Sequence, residues 1–202
     1  MTAQIIAMAL FSLTMSITPG PVNVTTFSSG MNYGFRSTMP FVFGATIGFT
    51  LLLVFIGLGI GNLVTYFPIM GRVLCYAGAL FIGYVGFKIM RANFSIENTS
   101  ADRPLFRHGV IMQWLNIKAW ISCLAGVSAF SAGREYGSLL IFCSIYFVIC
   151  YASIAVWALA GDVIMKMMKN KRYISAVNTA MGAVLICLAV LILFSGGDIG
   201  RF

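Results

Sequence analysis

Two prolines, Pro19 and Pro21, stand in the middle of a run, residues 4–31, that is otherwise mostly apolar. As one helix this run would measure roughly 40 Å, more than the ~30 Å hydrocarbon core of a bilayer. Proline has no amide proton and pushes the residue before it out of the α region, so the carbonyls of Met15 and Ile17 would lose their helical partners. In hydrocarbon such orphan groups are costly, and backbone like this persists only against protein or a wet cavity. Two half-helices are therefore expected, with Thr18 as N-cap and Pro19 as first residue of the second. A zwitterion would suit both ends. Its carboxylate would lie toward the N-terminus opened by Thr18, where the Gly20 amide is spare, and its ammonium toward the orphan carbonyls, with Asn23 one turn along. A plain structural kink is the alternative, because Pro and Gly are commoner in transmembrane helices than in soluble ones.

The rest of the chain confirms the membrane as solvent. Of 202 residues 60% are hydrophobic and 9% charged, and the mean hydropathy is +0.95. A soluble domain would carry about a quarter charged residues, so the expected fold is all-α, a polytopic membrane protein with little mass outside the bilayer. The N-terminus has no basic stretch and no cleavage site of the signal-peptide kind, and is read as the first span. Cys75, Cys123, Cys143, Cys150 and Cys187 all fall in apolar runs with no C-x-x-C spacing. They read as small buried hydrophobes, not as a disulfide framework, a metal site or a thiol relay. His108 is read as an interfacial residue.

Further spans are expected at about residues 39–60, 72–89, 108–130, 138–161 and 175–194, six in all with the broken first one. Gly44 and Gly48 mark a close-packing helix face, and Gly57, Gly59 and Gly61 are read the same way, since no strand precedes them as a dinucleotide loop would need. Residues 91–107 form the longest loop, a linker between a first half (1–90) and a second (108–202). Asp162 borders a basic cluster and is read as a solvated interfacial carboxylate, with a short amphipathic element expected between 161 and 174. In the fourth span Asn116 and Lys118 interrupt the apolar pattern. A lysine there costs about 2.5–3.5 kcal/mol on insertion scales, and snorkelling would have to cover ~15 Å of helix, so Lys118 is expected to face a polar interior.

Six spans sort the basic residues. Arg36, Lys88, Arg91, Arg103, Arg107, Lys166, Lys169, Lys171 and Arg172 fall on one side, and only Arg72, Arg134 and Arg201 on the other. The positive-inside rule then places the richer side in the cytoplasm and both termini outside, which accounts for the net charge of +8 without a nucleic-acid partner. Each half begins with an irregular span, and three is odd, so two like halves must be inverted with respect to one another. The two irregular helices, at residues 18–23 and 116–118, would then meet near the membrane midplane.

At these residues the chain resembles the LysE/RhtB family of bacterial amino-acid exporters. The matching features are Thr18-Pro19-Gly20-Pro21 followed by Asn23, Gly34-Phe35-Arg36, the pair Gly44 and Gly48, Gly78 through Gly86 with Lys88, and Asn116-x-Lys118. The family usually has Asn-Pro-Lys in the fourth span. Here Ile117 replaces that proline, which leaves a backbone break in span four open. Asn-x-Lys and Trp157-Ala158-Leu159-Ala160-Gly161 look most similar to the cysteine and O-acetylserine exporter branch.

The resemblance implies export of a small neutral amino acid or derivative from the cytoplasm, driven by the proton gradient. Thr18, Pro19, Gly20, Pro21, Asn23, Asn116 and Lys118 would bind it, with no cofactor and no metal. Lys118 would pair with the cargo carboxylate or carry the coupled proton. Lipids and cargo are the expected partners, and a second copy of the chain is left open. A membrane enzyme or redox subunit would need Cys, His or carboxylates clustered within the spans. A metal exporter would need the methionines to converge, and they fall singly along apolar faces.

Overall fold

The computed structural model describes residues 2–59, 68–91, 104–131, 136–167 and 171–195, and these form eight helices with no strand among them. In chain order they are α1 (Thr2–Ile17), α2 (Pro21–Tyr33), α3 (Phe35–Gly57), α4 (Pro68–Met90), α5 (Phe106–Trp114), α6 (Ile117–Phe130), α7 (Tyr136–Met167) and α8 (Lys171–Ser195). Among the described residues three helices, within α3, α7 and α8, are long and apolar enough to cross a membrane. The pairs α1–α2 and α5–α6 each pass the same test together but are bent by 60° and 68° at their breaks. α4 is apolar over Tyr76–Met90. The order bent pair, long helix, helix thus occurs twice. Most of the expected linker, residues 132–135 and the C-terminal residues 196–202 lie outside the described residues.

α3 and α7 form the centre. Phe41, Val42, Leu52 and Leu53 from α3 meet Phe142, Tyr146, Cys150 and Ile154 from α7, all buried, and the Phe49 and Tyr146 rings stack at 4.3 Å. α4 pairs with α8 through a separate cluster of Ile82, Leu185 and Ala189. The outer surface is apolar: Leu10, Leu51, Leu80, Leu140, Val148 and Leu191 are all more than half exposed. An exposed shell of this kind around a partly polar interior matches lipid as the outer solvent.

Backbones approach closely where small residues allow it. A Cβ on Gly44 would lie 2.0 Å from the Phe106 carbonyl oxygen, and one on Gly109 2.3 Å from that of Phe41, so α3 and α5 cross at glycines. Gly30 and Gly161 do the same where α2 crosses α7, with Ala158 O and Phe27 O at 2.1 Å. Gly57 follows the expected packing role, against the Leu139 side chain. Gly59 does not: its φ of +84° and open surroundings mark a turn. Gly34, at φ +81°, lets α2 pass into α3 through one residue.

Three expectations are corrected. The amphipathic element between 161 and 174 does not stand alone, because α7 continues to Met167 and α8 begins at Lys171. Asp162 is not freely solvated. Its side chain is 13% exposed and bonded at 2.7 Å to Lys166, which carries the exposure at 72%. The third concerns the first break, where α2 starts at Pro21 with Gly20 as N-cap, two residues later than expected. Pro21 itself supplies the reason: it disfavours the α region at Gly20, which would be the second residue of a helix begun at Pro19. Gly20 is accordingly extended (φ −166°, ψ 178°), and the Thr18 hydroxyl turns back to the Thr14 carbonyl instead of capping α2.

Candidate functional site

The two breaks lie side by side. At the first, Asn23 Nδ2 donates to the carbonyls of Ser16 (2.8 Å) and Thr18 (2.9 Å), reaching back across the bend from the first turn of α2. Trp157 Nε1, from α7, donates to Ile17 O at 3.1 Å. The Ile17 carbonyl that the sequence left free for a ligand is therefore taken by an indole. Pro21 has no amide to offer, and helix geometry leaves the Val22 and Asn23 amides without an intrahelical acceptor.

The second break needs no proline. Asn116 is extended (φ −95°, ψ 103°) and its Oδ1 accepts from the Lys118 amide at 3.2 Å, an N-cap that starts α6 at Ile117. Asn116 Nδ2 donates to Gln113 Oε1 at 3.3 Å, and Trp120 Nε1 to Trp114 O at 2.8 Å. Gly78 on α4 makes room for the bend, since a Cβ there would lie 2.4 Å from Leu115 O.

Lys118 joins the two. Its ammonium donates to Thr18 O at 2.7 Å, and its stem crosses Gly20, where an added Cβ would lie 3.2 Å from Cδ and 3.5 Å from Nζ. Gly20, Asn23, Asn116 and Lys118 line one cleft, together with Ser16, Gln113, Ser122, Tyr146 and Cys150. Of the other expected residues, Thr18 takes part through its carbonyl, while Pro19 and Pro21 shape the bend and do not line the cleft. The cleft volume is about 30 Å³, room for a water or two at ~10–15 Å³ each, not for an amino acid. Ser16 Oγ is buried with no hydrogen-bond partner among the described residues.

The residues that sequence reasoning missed differ in how they could have been found. Gln113 precedes Asn116 by three residues and Ser122 follows Lys118 by four, so helical spacing puts polar groups beside those already singled out. Tyr146, Cys150 and Ser16 carry no such sign, because nothing local tells which face of α7 or α1 meets the breaks.

A second cavity, about 660 Å³, opens at the other end of α2. Every residue of α2 from Pro21 to Met31 is buried although five of them are Asn, Thr or Ser. Thr26 and Ser29 bond back to carbonyls four residues earlier, and Ser28 joins Asn178 of α8. Thr25, Ser28, Ser29 and Asn32 line the larger cavity, and Thr25 Oγ1 is buried there without a partner among the described residues. Lys88 and Arg91 supply its charge, His108 lies beside them, and no carboxylate is among its described lining residues. His108 Nδ1 also accepts from the Leu105 amide at the start of α5.

The family model described as "LysE type translocator" matches residues 13–196. The cysteine/O-acetylserine efflux protein of Escherichia coli O139:H28 is 25% identical over 188 residues, covering 91% of this chain and 94% of that protein. Its counterpart in Escherichia coli K12 is 24% identical over the same span and coverage. The homoserine/homoserine lactone efflux protein of Salmonella typhimurium LT2 is 22% identical over 193 residues, covering 92% and 94%. No solved structure matches.

Proposed function

The chain belongs to the LysE type translocator family, and from that premise we propose that it exports small neutral amino acids or their derivatives across the bacterial inner membrane. The cargo is of the cysteine/O-acetylserine or homoserine/threonine kind, and export is coupled to the proton gradient. One observation carries the reading: the bends of two separate helix pairs meet at one polar cleft inside an apolar shell. Two inverted three-helix halves, giving six spans with both termini outside, fit the repeated order of elements and the distribution of basic residues.

In this arrangement the larger cavity is the cytoplasmic vestibule. Its basic rim of Lys88 and Arg91 attracts the carboxylate, and the hydroxyls of α2 lead from Asn32 toward Asn23. At the cleft the carboxylate is received by Lys118 and the spare amides at the start of α2. The ammonium is received by the carbonyl side of the first break, with Asn23 and Asn116 orienting the two. Pro19, Gly20 and Pro21 keep the backbone open for this.

Inside-out vesicles carrying the chain test the proposal. With an imposed proton gradient they are expected to take up labelled O-acetyl-L-serine or L-homoserine, and a protonophore is expected to abolish uptake. Correctly inserted protein that moves neither compound, nor any other neutral amino acid of similar size, would end the exporter reading. Uptake indifferent to the protonophore would end proton coupling alone.

A further inference from the structure

Resting on the exporter reading, we propose that Lys118 is a tethered stand-in for the cargo. In the closed state its ammonium occupies the seat that the cargo's α-ammonium takes during transport, and by doing so it locks the two helix breaks together.

The seat is the Thr18 carbonyl. That oxygen lies at the C-terminal end of a half-helix, where backbone carbonyls concentrate partial negative charge, and it accepts from Lys118 Nζ at 2.7 Å. Asn23 also donates to it, as a neutral group approaching along the chain's own backbone. Lys118 comes from the other break, one hundred residues away, and is the only described side chain that hydrogen-bonds one break to the other. Ser16 Oγ, buried in the same cleft beside Tyr146 and Cys150 and with no hydrogen bond meeting geometric criteria among the described residues, offers a further acceptor to an ammonium. With the lysine in place the cleft has about 30 Å³ to spare, so cargo and the Lys118–Thr18 bond exclude one another.

A zwitterion can displace the lysine without leaving either charge alone. Its ammonium takes Thr18 O and Ser16 Oγ, and the released Lys118 ammonium takes its carboxylate, a stronger charge-assisted pairing than a carbonyl provides. Lys118 therefore first closes the seat and then binds the other end of the same cargo. A compound lacking the ammonium cannot complete the exchange, because it would leave the seat unfilled while drawing the lysine away. The inference adds a required group on the cargo, the α-ammonium, and a resting role for Lys118.

Cys150, which lines the cleft and is 3% exposed, reports the lock. Its alkylation by N-ethylmaleimide in vesicles, resolved by peptide mass spectrometry, is expected to be slow in the wild type. L-homoserine or O-acetyl-L-serine should speed it by roughly tenfold, the scale of one hydrogen bond to a charged group. The hydroxy analogue 2,4-dihydroxybutyrate should leave it slow. Lys118→Met should be fast with no addition and insensitive to amino acids, and Lys118→Arg should restore the slow rate. Alkylation of Cys123, fully buried in the α3–α7 core, monitors unfolding. If Lys118→Met raises it, Gly20→Ala repeats the test with the lysine kept, since its Cβ would crowd Lys118 Cδ.

Slow Cys150 labelling in a folded Lys118→Met or Gly20→Ala protein overturns the lock. Equal acceleration by homoserine and its hydroxy analogue, or by neither amino acid, overturns the seat. Uptake measured on the same vesicles judges the exporter reading separately: uptake without amino-acid-accelerated labelling removes this inference and leaves that reading standing.

Discussion

The two bent helix pairs reach similar angles, 60° and 68°, by opposite means. The first is broken by subtraction. Pro19 and Pro21 delete donors, so carbonyls at the end of α1 must be served from elsewhere, and they are served by Asn23, by Trp157 of α7 and by Lys118 of α6. The second is broken by addition. Asn116 supplies an acceptor that starts a new helix, and apart from the Lys118 ammonium every hydrogen bond described at that bend stays within residues 111–122. One break is therefore self-sufficient and the other borrows. The bond that crosses between them, from Lys118 to Thr18 O, couples the two breaks, and by linkage that coupling is mutual.

The largest effect is expected from restoring what the first break lacks. With Pro19→Ala and Pro21→Ala together, residues 19 and 21 regain amides for Met15 O and Ile17 O, and α1 and α2 can fuse into one helix. Gradient-driven uptake should fall to background while thermal stability in detergent holds or rises. Retained transport would show that the bend does not depend on the prolines.

Next comes Asn23→Leu. It strips a donor from Ser16 O and from Thr18 O in a buried setting, with about 1–3 kcal/mol expected for a group left unsatisfied. Asn116→Ala, the matching change at the other break, removes an N-cap worth ~1 kcal/mol and the 3.3 Å bond to Gln113 Oε1, and leaves the Trp120–Trp114 bond in place. Thermal unfolding of the two variants side by side should rank Asn23→Leu as the more damaging. The opposite order would mean that the second break is the dependent one.

How much of this could be read from the chain depends on the range over which each cause acts. Pro19 and Pro21 act on their immediate neighbours, so a bent first span was legible, as were the Gly44 and Gly48 crossing and the polar intrusion at Asn116 and Lys118. Even the two-residue error at α2 was local, since the preference of residues before proline, applied to Gly20, favours the observed start. The 68° bend without a proline at 117 was harder, because an Asn N-cap and a solvated Asn look alike until its acceptor is known to face the Lys118 amide. The partners of the orphan carbonyls were out of reach. Trp157 lies 140 residues from Ile17, and nothing in its own neighbourhood marks that carbonyl as its acceptor. The burial of Asp162 likewise depends on α2 and α3 turning at Gly34, whose Cβ position lies 3.6 Å from its carboxylate.

The two indole bonds refine the contrast at a smaller scale. Trp157→Phe and Trp120→Phe each remove one donor from the last carbonyl of a half-helix, Ile17 O and Trp114 O, at a cost of about 1 kcal/mol. Their stability losses should be alike. Their transport should not, since only Trp157 ties the first break to another helix. Uptake by inside-out vesicles is expected to drop for Trp157→Phe and to stay near wild type for Trp120→Phe. Equal losses of uptake would erase the distinction between borrowed and local support.

The smallest effect belongs to Ile117→Pro, which writes the family's usual residue into the second break. Ile117 is the first residue of α6, where the amide has no intrahelical acceptor and the fixed φ of proline suits the helix. Asn116, which would precede the proline, already holds the extended conformation that proline demands of its neighbour. The cap from Asn116 Oδ1 to the Lys118 amide does not involve residue 117. The substitution gives up an aliphatic contact, Ile117 Cγ1 lying 3.7 Å from the Gly78 Cβ position, and gains ~0.4–1 kcal/mol by restricting the unfolded chain. Melting temperature and uptake should both stay close to wild type. A marked loss of either would mean that the Asn116 cap does not already hold the geometry a proline would impose, and that the second break, like the first, is maintained from outside.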